Sequence, residues 1–324
     1  MKISLSLISV GMIAAAASAG RVEAIDSGLS ATYKGVITAA QMASIQNPTN
    51  KEAAAYATMY NTNNWNSPYV AGNISTTVGA PGQQGWIQYG GATSSFKVNA
   101  TSPVTATNSH TGPSMTMKGG TSSSAYYDLY IMTDVAYAAQ AGPNQLLWLE
   151  NDMYRGANST LTTAAPSIYA VAFDTNFGCN SGFKFNSYTG AASGLGGFLD
   201  STGVLRFYGF TLPLTSTTNF AAAASNWTKQ ASSYNVDTGE TTWYLSSDNG
   251  ASYNAWSYGA GTSAAVAVGG RGALEVDFYT SNTATALAQS TTWANSAQYT
   301  TVIPAPGAVA LLGLAGIAAR RRRA

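Results

Sequence analysis

Two carboxylates, Glu150 and Asp152, stand two residues apart in the stretch WLENDMYRG (148–156). On a β-strand they would project from one face, about 7 Å apart at a rise of 3.3–3.4 Å per residue. Carboxylate pairs cleave glycosidic bonds, and retaining enzymes hold them about 5–5.5 Å apart around the bond. Glu275 and Asp277 repeat the spacing in ALEVDFY. For both pairs the sequence favours solvation at a strand, or ligation of a structural calcium ion, over catalysis.

The first pair is similar to the motif of laminarinase-like glycosidases, which carry an E-x-D-x-x-E pattern along one strand of a jelly roll. The resemblance implies a polysaccharide-cleaving enzyme as an alternative function. Position 155, where the third carboxylate would stand, is Arg. This departure argues against catalysis, and we assign no catalytic residue.

A second polar motif, SSDNGASYNAW (246–256), places Asp248 two residues before Gly250 and four before Ser252. It resembles the Asp-box of sialidases and other propeller enzymes. Those propellers carry several copies, whereas this chain has one. We therefore predict a hairpin turn in which Asp248 accepts backbone N–H bonds and Gly250 takes a positive φ.

Aromatic side chains beside polar loops are candidates for stacking on sugar rings. The candidate glycan contacts are Trp86, Trp243, Tyr253 and Trp256. Packing in the core is the competing interpretation at each position, because large aromatic side chains also dominate protein interiors. These residues define a lectin-like binding module as the second alternative function.

The chain has one histidine, His110, and one cysteine, Cys179. A single cysteine forms no intramolecular disulfide, and a single histidine leaves only carboxylates to complete a zinc site. No GxSxG motif accompanies His110 as a hydrolase triad would require. We predict an exposed loop histidine, a structural cysteine, and no cofactor or bound metal apart from the calcium alternative.

The elements that position these residues are predicted to be β-strands. Short runs rich in β-branched and aromatic residues alternate with Gly, Asn, Ser and Pro, and several alternate apolar and polar positions, as a half-buried sheet requires. The predicted strands are 85–90, 94–100, 114–119, 125–133, 144–152, 167–175, 182–188, 204–210, 240–248 and 273–280. They indicate a mainly β protein, a β-sandwich or jelly roll, forming a single body over residues 25–300.

Helical signals are confined to residues 25–64. Thr49 and Glu52 form a capping-box pattern ahead of KEAAAYATMY, which predicts one short helix near residues 50–60. The stretches GAPGQQGWIQYG, YYDLY, IYAVAFD and TTWYLSSDNG, over roughly residues 65–282, resemble concanavalin A-like (laminin-G-like) jelly rolls. That resemblance implies the same sandwich fold.

Charge is scarce, at 9% of residues, with a formal net charge of +1. Thirteen of the 14 acidic residues but nine of the 15 basic residues lie within 25–303. The body is therefore mildly acidic and offers no basic stripe for a phosphate backbone. Nucleic-acid binding is not expected.

The first residues, MKISLSLISVGMIAAAASAG, combine a lone lysine, an apolar run and small residues. Ala17-Ser18-Ala19 satisfies the small-x-small cleavage rule, so residues 1–19 are predicted to be a secretory signal peptide, with residue 24 as an alternative end.

The last residues, VIPAPGAVALLGLAGIAARRRRA, have an apolar run of 13 residues at 307–319. Such a helix is about 20 Å long, shorter than the roughly 30 Å hydrocarbon core of a bilayer. The arginine block at 320–323 would stay on the cytoplasmic side. The tail therefore suits transient membrane insertion better than permanent anchorage, although an ordinary short C-terminal anchor is the competing interpretation.

Residues 303–323 resemble the PEP-CTERM sorting signal, which joins a Pro-x-Pro motif, a short apolar helix and an arginine block. The matching positions are Pro304, Pro306, Arg320, Arg321, Arg322 and Arg323. The resemblance implies processing by an exosortase-type membrane protease in a Gram-negative-type bacterium, with an inner-membrane intermediate. Ala305 replaces the usual glutamate, a Pro-Ala-Pro variant that implies slower cleavage or a variant exosortase.

Taken together, the sequence predicts a non-catalytic secreted protein of the cell surface or extracellular matrix. Its role would be structural or adhesive, with surface polysaccharide as a partner. The lectin-like module and the polysaccharide-cleaving enzyme stay open as alternatives.

Overall fold

The chain folds into two packed β-sheets and one α-helix within the part that the structure describes. The structure, a computed structural model, describes residues 25–46, 65, 68–89, 95–102, 112–118, 126–132, 145–155, 167–174, 179–186, 191–199, 205–213, 226–235, 238, 240–259, 273–281 and 290–302. The signal-peptide and sorting-tail predictions, His110, and the helix predicted near 50–60 lie outside these residues.

The strands and helix are named in chain order. They are β1 (Ile25–Ser30), β2 (Thr32–Thr38), α1 (Ala39–Gln46), β3 (Gly72–Asn73), β4 (Ile87–Tyr89), β5 (Phe96–Asn99), β6 (Ser114–Lys118), β7 (Tyr126–Met132), β8 (Gln145–Arg155), β9 (Ser167–Asp174), β10 (Cys179–Asn186), β11 (Ala192–Leu199), β12 (Leu205–Thr211), β13 (Trp227–Asn235), β14 (Thr241–Ser246), β15 (Ser252–Tyr258), β16 (Ala273–Ser281) and β17 (Ser290–Val302).

The first sheet, sheet A, has the strand order β1-β12-β11-β10-β9-β16-β7-β4. Strand β1 pairs in parallel with β12, and the other described pairs in this sheet are antiparallel. The second sheet, sheet B, has the order β2-β15-β14-β13-β8-β17-β6-β5-β3, with antiparallel pairing throughout its described strands. Strands β1 and β2, adjacent in the chain, thus lie at the edges of different sheets.

The main core lies between the sheets and is built mostly from large aromatic and aliphatic side chains. Strand β8 shows the alternation that creates it, since Leu147, Leu149 and Met153 are buried in this core and the even-numbered residues between them face the other way. Gly194 of sheet A lies against Trp243 of sheet B, where a Cβ added to the glycine would come within 2.5 Å of the indole ring. A side chain at that position would push the two sheets apart.

Helix α1 covers part of the outer face of sheet B. It begins directly after β2, and the Thr38 N–H donates to Gln41 Oε1 (2.8 Å) while the Gln41 N–H donates to Thr38 Oγ1 (3.2 Å). This reciprocal pair is a capping box at the first turn. Met42, buried to 3% exposure, joins a second apolar cluster on that face. The packing of Met42 against the sheet stabilises a helix that is too short to be stable alone.

The predicted mainly β sandwich is confirmed, and each of the ten predicted runs overlaps a strand. Residues 25–38, for which no element was predicted, form β1 and β2. In β2 exposed and half-buried residues alternate strictly, as in a strand at the edge of a sheet.

Candidate functional site

The predicted carboxylate pair does share one face of a strand. In β8 the residues at 147, 149 and 153 point into the core, so Glu150 and Asp152 project from the outer face of sheet B, beside α1. Strands β13 and β17 pair with β8 on its two sides. Side chains from both of these strands and from α1 therefore surround the two carboxylates.

Asp152 is held by two donors. The Lys229 Nζ lies 2.8 Å from Asp152 Oδ2, and Asn295 Nδ2 donates to the same oxygen. Lys229 reaches this position because it stands directly opposite Asp152 in the register of β13 and β8. The Asp152 side chain is 10% exposed and that of Lys229 28%, so water screens the pair less than it screens an exposed ion pair.

Asn295 reaches Asp152 because strand β17 bulges. The register with β8 shifts between Ala294 and Ala297, and Asn295 within the bulge has a φ of 49°. Asparagine tolerates this left-handed conformation better than other residues with a Cβ. A bulge of this kind re-aims a side chain beside a site, here bringing the Asn295 amide onto the carboxylate.

Glu150 is held by a separate pair of donors. Its Oε2 accepts from the Tyr299 hydroxyl at 2.9 Å and from Gln46 Nε2 at 2.7 Å. Burial, the negative charge of Glu150 and this hydrogen bond raise the pKa of Tyr299 well above its usual value. Since Gln46 is the last residue of α1, the helix is tied to the sheet through Glu150.

Tyr253 completes the set. Burial, followed by the charges of Asp152, Glu150 and Asp248, raises its pKa to about 12, so its hydroxyl stays protonated at neutral pH. The ring is half-buried. We call the seven residues that meet here the outer patch: Gln46, Glu150, Asp152, Lys229, Tyr253, Asn295 and Tyr299.

An aromatic stack lies in the apolar cluster next to the outer patch. The Trp148 ring stacks between Tyr244 (centroids 5.5 Å apart) and Tyr299 (6.1 Å). The Trp148 Nε1–H donates to Thr301 Oγ1 at 2.8 Å. Met42 of α1 belongs to the same cluster, so this stack gives the patch a rigid support.

The predicted hairpin turn at Asp248 is confirmed. Its carboxylate accepts from the Ser252 N–H (3.0 Å), the Ser252 hydroxyl (2.6 Å) and the Ser246 hydroxyl (2.7 Å), and Gly250 has a φ of 85°. Desolvation opposes ionisation, but these hydrogen bonds together lower the pKa of Asp248. The motif joins β14 to β15 and serves the turn.

Three of the four candidate glycan contacts are core residues. Trp86, Trp243 and Trp256 have exposures of 1%, 0% and 0%, so the prediction that they contact glycan is wrong for the folded chain: a buried indole presents no ring face to a ligand in solvent. Polar anchors help to hold two of them, since Trp86 Nε1–H donates to the Tyr69 hydroxyl and Trp256 Nε1–H to the Pro213 carbonyl. For Tyr253 the glycan hypothesis stays a prediction.

For some other candidate residues the structure describes the backbone position alone, and others lie outside the described residues. Cys179 begins β10, and Glu275 and Asp277 lie on β16; for these three residues the structure describes the backbone alone. Pro304, Pro306 and Arg320 to Arg323 lie beyond the described residues. Among the residues described, no three His, Cys, Asp or Glu side chains gather as metal ligands would, and no helix has the length and apolarity to cross a bilayer.

Sequence reasoning missed four members of the outer patch: Gln46, Lys229, Asn295 and Tyr299. Three of them lie on strands β13 and β17 or within the β17 bulge, and neither strand was among the predicted runs. Lys229 alone carried a signal, because a lysine inside the run WTKQASSYN would have to find a partner once that run is recognised as a central strand.

The outer patch offers fixed polar groups at a partly exposed surface. Carboxylate oxygens accept, while an ammonium, an amide and a tyrosine hydroxyl donate, beside the half-buried ring of Tyr253. Each carboxylate accepts from two of the chain's own donors, which fixes its oxygens in place. This arrangement suits recognition of hydroxyl groups by hydrogen bonding.

Comparisons with known proteins yield only distant structural similarity. No family profile and no curated sequence matches the chain. Among solved structures it aligns with arcelin-5, a lectin-like defense protein from Phaseolus vulgaris (TM-score 0.37, 11% identity, 72% of this chain and 97% of that one).

Two larger proteins align as well. One comes from work on cell entry of botulinum neurotoxin type C through two ganglioside molecules (TM-score 0.40, 9% identity, 80% of this chain and 49% of that one). The other is an engineered GH43 glycoside hydrolase (TM-score 0.38, 12% identity, 72% and 41%). The chain thus spans less than half of either.

Proposed function

We propose that this chain is a non-catalytic secreted protein of the cell surface or extracellular matrix, with an adhesive role exerted through carbohydrate. The observation that carries the proposal is the outer patch, where protein donors hold Glu150 and Asp152 while the half-buried Tyr253 packs against the neighbouring apolar cluster. Fixed acceptors beside an aromatic ring match the hydroxyls and C–H face of a sugar.

The partners of the two carboxylates favour binding over hydrolysis. A general acid must hold and release a proton next to the scissile bond. Asp152 instead forms an ion pair with Lys229, and Glu150 accepts bonds from Tyr299 and Gln46. These contacts use the oxygens as anchors within the protein.

A glycan array with matched variants tests the binding role. Tyr253→Ala removes both the ring and the hydroxyl and should reduce binding at least tenfold, whereas Tyr253→Phe keeps the ring and should retain part of the signal. Lys34→Ala, at an exposed position of edge strand β2, is the control and should leave binding unchanged. An array with no signal for the wild-type protein would contradict the glycan ligand.

Polysaccharide cleavage is the second candidate, because Glu150 and Asp152 share a face of β8 and Glu150 is partly exposed. It predicts new reducing or unsaturated ends when the protein is incubated with neutral and acidic polysaccharides, and their loss in Glu150→Gln. We expect no product from the wild-type protein. Steady product formation that Glu150→Gln abolishes would replace the adhesive proposal with an enzymatic one.

The sorting proposal rests on the two ends of the sequence. The resemblance of residues 303–323 to a PEP-CTERM tail and the signal-peptide pattern at 1–19 support export, transient insertion in the inner membrane and exosortase processing. Mass spectrometry of the native surface protein tests this directly. We expect a C-terminus before the arginine block, and recovery of an intact RRRRA end would contradict processing.

A further inference from the structure

The inner face of sheet B carries a group of polar side chains buried within the sandwich. Thr228, Gln230 and Ser232 alternate along β13, and Asn151 stands directly opposite Gln230 on β8. Trp243 of β14 stands opposite Ser232. We call these five residues the inner polar cluster, and each is at most 2% exposed.

Within the part of the chain that the structure describes, six polar atoms of this cluster have no hydrogen-bonding partner. They are Asn151 Oδ1, Thr228 Oγ1, Gln230 Oε1 and Nε2, Ser232 Oγ and Trp243 Nε1. Each buried polar group left unpaired costs about 1–3 kcal/mol, and native proteins keep such groups rare. A concentration of six at one place points to a further set of hydrogen-bonding groups inside the sandwich.

The surroundings of the cluster separate it from bulk solvent. Leu149 and Met153 flank Asn151 along β8 and belong to the main core. On the neighbouring strand Leu245 stands opposite Gln230 and is fully buried. Strand β10 of sheet A packs across from β13 and β14. Apolar residues thus surround the polar atoms on β8, β13 and β14.

The side-chain types in the cluster limit which chemical groups can hydrogen-bond to it. Its groups are two amides, two hydroxyls and one indole N–H, which supply both donors and acceptors and carry no charge. The charged Lys229 and Asp152 lie on the same strands but face the outer patch. An ion would be uncompensated at the cluster, and an apolar ligand would leave the six atoms unpaired.

We propose that the inner polar cluster is an internal binding site for neutral hydroxyl groups, which donate and accept at once and can therefore satisfy amides, hydroxyls and the indole N–H together. Two sources share this chemistry: ordered water molecules and the hydroxyls of a saccharide end. The site is separate from the outer patch and lies on the opposite face of sheet B, so it does not depend on the proposed function.

A high-resolution crystal structure of the full chain, grown with and without maltotriose, tests the occupant. Density for hydroxyl oxygens within hydrogen-bonding distance of Gln230 and Asn151 supports the site. Water in both crystals identifies the source as solvent, and a sugar ring in the maltotriose crystal identifies it as saccharide. A dry interior, a bound ion, or direct bonding between the Gln230 and Asn151 amides would overturn the proposal.

A substitution series tests the energetics independently. Gln230→Met keeps the side-chain volume and removes both amide atoms. If hydroxyl groups bind the Gln230 amide, the variant should lower the folding equilibrium constant about tenfold. The hydrogen bonds to the amide are lost, and the other polar residues of the cluster lose the same hydroxyl partners. Ser232→Ala is the milder second variant and should act in the same direction.

The matched control is Leu245→Met, a volume-conserving change at the apolar residue opposite Gln230, which should have a smaller effect. Urea unfolding followed by tryptophan fluorescence gives the equilibrium constants. A Gln230→Met protein more stable than the wild type would show that the amide was unsatisfied, and it would overturn the proposal.

Discussion

At the scale of single residues, the outer patch depends on one backbone conformation that few residue types accept. Asn295 combines a left-handed φ of 49° with a hydrogen bond to Asp152. Such conformations cost of order 1–3 kcal/mol and persist where the surroundings enforce them. Here the bulge in β17 and the carboxylate on β8 do so together.

Substitution of Asn295 should therefore destabilise the fold through two separable effects. Asn295→Ala loses the bond and also suffers the left-handed strain, for roughly 2–3 kcal/mol in all. Asn295→Gly loses only the bond, since glycine accepts positive φ, and should cost less. Urea unfolding measures both, and equal losses in the two variants would show that the conformation adds no strain.

Asp248 should make the hairpin turn sensitive to acid. Its folded pKa lies below the unfolded value of 3.8, so the unfolded chain binds a proton more readily. The stabilisation is present above that value and is lost as the pH falls through the folded pKa. Asp248→Asn should remove this part of the pH dependence, which unfolding curves between about pH 5 and pH 2 would detect. Unchanged acid sensitivity in the variant would contradict the assignment.

At the scale of elements, α1 covers the aromatic stack on the outer face. Met42→Ala should cost roughly 2–3 kcal/mol, because a buried methionine is truncated. Ser44→Ala, at an exposed position of the same helix, is the control and should change stability little. Unfolding and the fluorescence of Trp148, which lies beneath the helix, report the effect, and equal behaviour of the two variants would argue against packing by α1.

A strand can be predicted from the sequence when the residues on its inner face are apolar. Runs such as SIYAVAFD and ALEVDFYT are rich in β-branched and aromatic residues, and both are recognisable as strands. Strand β13, WTKQASSYN, escapes prediction because its inward positions carry Thr, Gln and Ser. Hydrophobic alternation is the main signal for a strand, and a polar inner face removes it. For the same reason only part of the outer patch was predicted. Glu150 and Asp152 lie in a predicted strand, and their hydrogen-bonding partners do not.

Tertiary context also decides details that no local pattern carries. The buried state of Trp243 and Trp256 follows from which face of sheet B each one occupies, and a shift of one residue would reverse it. The bulge at Asn295 depends on the pairing of β17 with β8. The composition of the run WANSAQ alone does not specify it.

At the scale of the whole molecule, the last strand lies at the centre of sheet B. Strand β17 pairs with β8 over most of its length and with β6 at its start. A chain ending at Val302 keeps every described strand and should fold. A chain ending at residue 289 lacks β17 and should not, because β8 and β6 would each lose a neighbour. Circular dichroism of the two truncations checks this, and cooperative unfolding of the shorter chain would contradict it.

The central place of β17 has a mechanical consequence. A pull on residues after Val302 would enter the sheet along a 13-residue strand with neighbours on both sides. Its hydrogen bonds lie across the direction of pull, so many would have to shear at once. A pull on the amino-terminal side would meet β1 and β2, which have one neighbour each and can peel bond by bond. We therefore expect the fold to resist a pull from its carboxyl-terminal side better than one from its amino-terminal side.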